Sequence, residues 1–161
     1  MREWKKYHNK QNYSDCQLIA MVNAYYYLTG KQIDINSKRY EKMVDLVGAR
    51  HGAAINIKKA HKILGIEIAW QGLTLYPTDK NGEKIKDALP YEALIWHPKY
   101  GRHSVLVVDK NEEIGVVRVA NFSHATNSQG WMFEEEFRTF VYAAKGDCNS
   151  TYKVLRLRRK K

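Results

Sequence analysis

Apolar positions in the first part of the chain recur every three and four residues. Cys16, Ile19, Ala20, Asn23, Ala24 and Tyr27 share one helical face, and Leu18, Met21, Val22 and Tyr25 widen it. A helix that is apolar over so much of its circumference is a central, buried one. Asp15 is its expected N-cap and Gly30 its expected stop. Ser37 caps a second helix, Lys38 to Val47, whose Tyr40, Met43, Val44 and Val47 form a single stripe ended by Gly48. Asn56 caps a third, with Ile57, Ala60, Ile63 and Leu64 turned inward and Gly65 as terminator. Ahead of them, residues 1–14 are polar and carry no period. They read as a loosely packed leader with Trp4 and Tyr7 as anchors.

After Gly65 the period changes to two. Ile66 to Trp70 alternates, and residues 77–90 are rich in turn formers: Pro77, Asp79, Asn81-Gly82 and Pro90. Three strands follow, Tyr91 to Trp96, His103 to Val108 and Val116 to Ala120, the last two joined by a hairpin loop over Asp109 to Glu113. Trp131-Met132-Phe133 leads into a short acidic helix around Glu134 to Phe140. Val141 to Ala144 and Lys153 to Leu157 read as final strands. Helices first and an antiparallel sheet second is the segregated order of an α+β fold. No repeat or linker divides the 161 residues, so one domain, 1–161, is expected.

Composition adds two things. Hydrophobic residues make up 44% of the chain, enough for a core without metal or disulfide staples. The formal net charge is +10, concentrated at the ends: Arg2, Lys5, Lys6 and Lys10 at the start, and Arg156, Arg158, Arg159, Lys160 and Lys161 at the finish. Residues 1–10 and 156–161 are therefore expected as mobile basic tails that suit an acidic partner or nucleic acid. The interior has no basic stripe interleaved with aromatics, so nucleic-acid binding is not the main expectation. Cys16 and Cys148 form no Cys-x-x-Cys pair and no His-x-x-x-His occurs, so neither a metal nor any other cofactor is expected. No signal peptide or membrane-spanning run is present, which suggests a cytoplasmic protein. Nothing in the pattern sets an oligomeric state.

The chemistry centres on Cys16, at the point where loop becomes helix. A helix N-terminus and a nearby imidazolium both favour the thiolate. His103 heads a run of valines, and Asn121 closes the neighbouring strand. The short hairpin between these strands brings the end of the second towards the start of the first, so an asparagine carbonyl can hold the imidazole in the tautomer that faces sulfur. Gln11, five residues before Cys16, is the candidate side-chain oxyanion donor beside the Cys16 N–H, with Gln17 as its competitor. Each residue also has an ordinary structural explanation: a core cysteine, a surface histidine, a turn asparagine, a solvated glutamine. Of the other histidines, His61 falls on or beside the third helix's stripe as a structural residue, and His97 precedes Pro98 at a strand end. His8, His51 and His124 sit in polar segments.

The order Gln11…Asp15-Cys16, then Leu89 to Trp96, His103 to Val108 and Val117 to Phe122, resembles the papain-like cysteine peptidases. The nearest variety is the bacteriocin-processing (double-glycine) peptidase domain. The likeness runs from about residue 11 to about residue 140 and takes in Trp131, Glu135 and Phe137 as a covering segment. Gln17 and Asn121-Phe122 stand where that variety usually has glycine and Asp-Pro. The resemblance implies a papain-like fold, with the N-terminal helices packed on a C-terminal antiparallel sheet. It also implies Cys16 as nucleophile, His103 as general base and acid, Asn121 as orienting residue, Gln11 as oxyanion donor, and a polypeptide substrate. Another amidase or transamidase on the same scaffold, such as one acting on peptidoglycan peptides, and a non-catalytic basic protein associated with nucleic acid are the alternatives.

Overall fold

The computed structural model describes residues 15–49, 56–72, 76–99, 101–122, 130–147 and 154–160. The 1–14 leader, Gln11 within it, His8, His51, His124 and Cys148 lie outside them. Among the described residues four helices and six strands follow in the order α1 (Cys16–Thr29), α2 (Lys38–Val47), α3 (Ile57–Leu64), β1 (Ile66–Gly72), β2 (Tyr91–His97), β3 (Gly101–Asn111), β4 (Val116–Ala120), β5 (Trp131–Phe133), α4 (Glu134–Asp147) and β6 (Val154–Arg159). The fold is α+β, with one antiparallel sheet ordered β1-β6-β2-β3-β4-β5. Among the described residues no helix is long and apolar enough to cross a membrane.

The helices begin and end largely where their residue types dictate. The Ser37 hydroxyl accepts the Tyr40 N–H at 3.2 Å, and the Asn56 side chain accepts the Lys59 N–H at 3.0 Å. The three N-terminal helices stop at Gly30, Gly48 and Gly65. In α1 every residue from Leu18 to Ala24 is buried, because β3 lies against one side of it and α3 against another.

The sheet is covered on both faces. Strand residues alternate between them. Leu106 and Val108 of β3, Leu155 and Leu157 of β6 and Ile66 of β1 join the core of α1, α2 and α3. Val105 and Val107 of β3, with Ala93 and Ile95 of β2, join a second core closed by Phe137 and Val141 of α4. That second layer corrects the expected strand over Val141 to Ala144. The helix runs on through this stretch because Phe137 and Val141, one turn apart, both find the sheet.

The C-terminal basic run is also corrected. Residues 156–159 are not a tail but most of β6, which pairs with β1 on one side and β2 on the other. Alternation explains this: Leu155 and Leu157 enter the core, while Arg156 and Arg158 take the other face. There Arg156 donates to the Asp87 carbonyl at 2.9 Å, and Arg158 pairs with Glu67 at 3.0 Å.

One core position breaks the apolar pattern. Glu92 of β2 sits between Leu106 and Leu155 across the strands and is buried. Its Oε1 has no hydrogen-bond partner among the described residues. Burial pushes its carboxyl from the ordinary 4.5 up to about 8, so at neutral pH it stands as the uncharged acid. A raised carboxyl contributes stability that is fully present below about 4.5 and is lost as the pH rises through about 8. Glu92→Gln keeps the shape and removes the titration. The native chain should therefore lose ground to this variant by about 1.4 kcal/mol per pH unit across that window, read from urea midpoints between pH 5 and 9. Parallel curves for the two proteins would overturn the assignment.

Candidate active site

Asp15 holds the expected N-cap position of α1, but its side chain makes no cap hydrogen bond. It is instead wholly buried, with Oδ2 accepting the Tyr40 hydroxyl at 2.7 Å. A polar residue ahead of an apolar helix suggests a solvent-facing cap by type alone. Here a fully buried tyrosine of α2 supplies a partner inside the protein, so the carboxylate anchors the start of α1. The carbonyl of Asp15 opens the helix by accepting the Ile19 N–H at 2.8 Å.

Cys16 is a free thiol on the first residue of α1 and is partly exposed. Its sulfur is nevertheless desolvated, and that pushes the thiol above its ordinary 9.0. The N–H of Ser104 pulls the other way, the Asp15 carboxylate raises it further, and the N–H groups of Gln17 and of Cys16 itself lower it. Burial wins, so the resting group is the neutral thiol and not the thiolate expected from its place at a helix N-terminus.

The Ser104 contact locates the sulfur at β3 beside His103, the preceding residue. β4 stops at Ala120, opposite Leu106, and no described strand pairs with residues 101–105 on that side. The start of α1 and the residue after β4 thus both reach the uncovered edge of β3.

His103 is buried on the opposite, α4-facing side of β3, in line with Val105 and Val107. Its Nε2 lies 2.5 Å from the carbonyl oxygen of Asn121. A carbonyl only accepts, so Nε2 carries the proton and Nδ1 is the basic nitrogen of the neutral ring. Asn121 thus returns to His103 across the hairpin and holds it through the main chain, not the amide side chain. Asn121 Nδ2 instead donates to the Ser104 carbonyl at 3.4 Å. The backbone turns here at φ 66°, a left-handed conformation that asparagine tolerates better than most residues.

The structure therefore brings Cys16 to Ser104, and His103 to Asn121, around one end of β3. Gln11 is not among the described residues. Three participants have no motif in the chain: Tyr40 on α2, the Ser104 N–H, and His97. The sequence marks His97 only as a histidine before Pro98 at a strand end; it lies two residues past Ile95, the register partner of His103. No protein-family model and no curated protein matches the chain.

Substitutions at two positions test this arrangement. Asn121→Gly keeps both the carbonyl and the left-handed turn, so slow exchange of the His103 Nε2 proton, seen by NMR, should survive. Asn121→Ala keeps a Cβ in that turn without the polar side chain that eases it there, and should be about 1 kcal/mol less stable than the glycine variant. If both variants lose the His103 proton signal alike, the side-chain amide is the true partner. Tyr40→Phe removes a donor from a buried carboxylate and should lower unfolding free energy by about 1–3 kcal/mol in urea. An unchanged midpoint would mean that the Asp15–Tyr40 bond does not hold the helix start.

Proposed function

We propose that the protein is a papain-like cysteine peptidase that cleaves peptide or isopeptide bonds by acyl transfer. The observation that carries this reading is the convergence at the open edge of β3. The Cys16 thiol lies on the Ser104 N–H, and the adjacent His103 is locked by Asn121 with its basic nitrogen away from the carbonyl. A thiol raised by burial needs a base to take its proton, and His103 is the base at hand.

In this scheme the Cys16 sulfur attacks the substrate carbonyl carbon as its proton passes to His103 Nδ1. The Nε2–H stays on the Asn121 carbonyl and shares the positive charge of the imidazolium. The Cys16 N–H donates to the oxyanion, with Gln11 the sequence candidate for a second donor. His103 then protonates the leaving amine, and the C–N bond breaks to give a thioester. Water, losing its proton to His103, attacks the thioester and releases the acid, restoring the thiol.

The alternative that rests on basic charge has less support. Arg156 and Arg158 of the C-terminal run are engaged within the sheet, by the Asp87 carbonyl and by Glu67.

The test combines labelling and turnover. Iodoacetamide labelling of Cys16 should climb with pH to beyond 9.0, because the thiol is raised, and should slow in His103→Ala. Hydrolysis of a peptide library should fall on the order of 10⁴–10⁶-fold in kcat in Cys16→Ala and in His103→Ala. Cleavage of cell-wall peptides or amine transfer without peptide hydrolysis would move the assignment to the other amidases. A Cys16 that resists alkylation at every pH would end the hydrolase reading.

A further inference from the structure

His97 closes β2 and pairs across the sheet with Gly101, two residues before His103. Its side chain takes the α4-facing side, in line with Tyr91, Ala93 and Ile95. It is buried although polar. Its ring lies 5.9 Å from that of His103 with the planes at 76°, an edge-to-face contact. On another side it meets the Phe122 ring at 4.7 Å, and Phe122 in turn meets Phe140 of α4 at 5.1 Å. Phe122 directly follows Asn121, whose carbonyl holds His103.

The tautomer of His97 is also set. Its Nδ1 accepts the Lys99 N–H at 3.0 Å, so in the neutral ring the proton is on Nε2. Burial first, and the Lys99 charge second, keep this ring below the ordinary histidine range and favour the neutral form. No step of the acyl-transfer scheme uses His97.

We propose that His97 is a positioning residue for His103: the His97 ring, backed by Phe122, walls the imidazole and keeps its Nε2 on the Asn121 carbonyl, so that Nδ1 remains the basic nitrogen that the acyl-transfer scheme needs. The purpose of this wall rests on the peptidase reading; the wall itself does not. The contact His97 makes with His103 is an edge-to-face one between rings, so a phenyl ring should replace it and a methyl group should not.

The experiment compares His97→Ala and His97→Phe in the full chain by two readouts, the ring ¹⁵N signals of His103 and the iodoacetamide rate of Cys16. In His97→Ala the His103 nitrogens should shift towards a tautomer mixture. Labelling should slow about two- to tenfold, the span that loss of one edge-to-face pair corresponds to. His97→Phe should keep the Nε2–H tautomer and a rate within about twofold of the native one, since it retains the ring contact. Should His97→Ala fail to fold, His97→Gln, which lacks a ring but has similar length, carries the same expectations. Unchanged His103 signals in the ring-less variant, or a phenylalanine variant as impaired as the ring-less one, would overturn the proposal. A native labelling rate indifferent to His103→Ala would end the peptidase reading instead, and the His103 tautomer would still decide the role of His97.

Discussion

Seven consecutive residues of α1, Leu18 to Ala24, are shut away from solvent, and the rest of the molecule is arranged around that burial. A helix enclosed on so many sides cannot slide or rotate without opening voids in a close-packed interior. Its first residue is thereby delivered to one place, the edge of β3 at Ser104. The Asp15–Tyr40 hydrogen bond ties that end of the helix to α2 from within the core. The position of the Cys16 sulfur is thus a consequence of packing two turns further along, reinforced by one buried polar contact.

The other half of the site depends on where a strand ends. β4 pairs with β3 as far as Ala120, and Asn121 then turns with a left-handed backbone. Had the strand continued, its backbone would have covered the edge of β3 that Cys16 approaches. The same turn aims the Asn121 carbonyl at His103, and its side chain reaches the Ser104 carbonyl, so one residue holds both neighbours of the contact. Electrostatics at this point favour the uncharged resting state. The thiol is raised by burial and by Asp15, and the adjoining His97 ring is kept neutral. Charge separation in the proposed chemistry is then left to the moment of attack, where the oriented Asn121 carbonyl and the helix N–H groups meet it.

Buried ionisable groups set the wider pH behaviour. His61 is enclosed on α3, its Nε2 without a hydrogen-bond partner among the described residues, and burial lowers it to about 4. Its stabilising contribution is present above the ordinary 6.5 and is lost as the pH falls through about 4. Glu92 works in the opposite sense, losing its contribution as the pH rises. The sequence marks His61 as a structural residue, but nothing in it sets Glu92 apart. His61 falls at the border of an amphipathic stripe, and Glu92 interrupts Tyr91-Glu92-Ala93-Leu94-Ile95 as an outward-facing residue would. Only the packing of the three N-terminal helices against each other and against the Leu106–Leu155 face of the sheet turns such positions into buried ones.

The sequence by itself determined the elements whose signals are local. Ser37 and Asn56 capped α2 and α3 because their side chains bond the N–H three residues on. The glycines ended the helices, alternation marked β1, and apolar runs between turn formers marked β2 to β4. It also determined that Cys16 begins a buried helix and that the β3–β4 hairpin carries Asn121 back to His103, since a short loop leaves the chain few other courses. Tertiary structure alone decided what depends on partners distant in the chain. The arginines of β6 became interior strand because Leu155 and Leu157 found a gap between β1 and β2. Asp15 became an anchor because Tyr40 stood opposite. The Cys16 thiol stayed neutral because enclosure outweighed the helix terminus. Residue type and spacing state what a side chain can do; which water it loses, and which neighbour replaces that water, is settled only when the whole chain has packed.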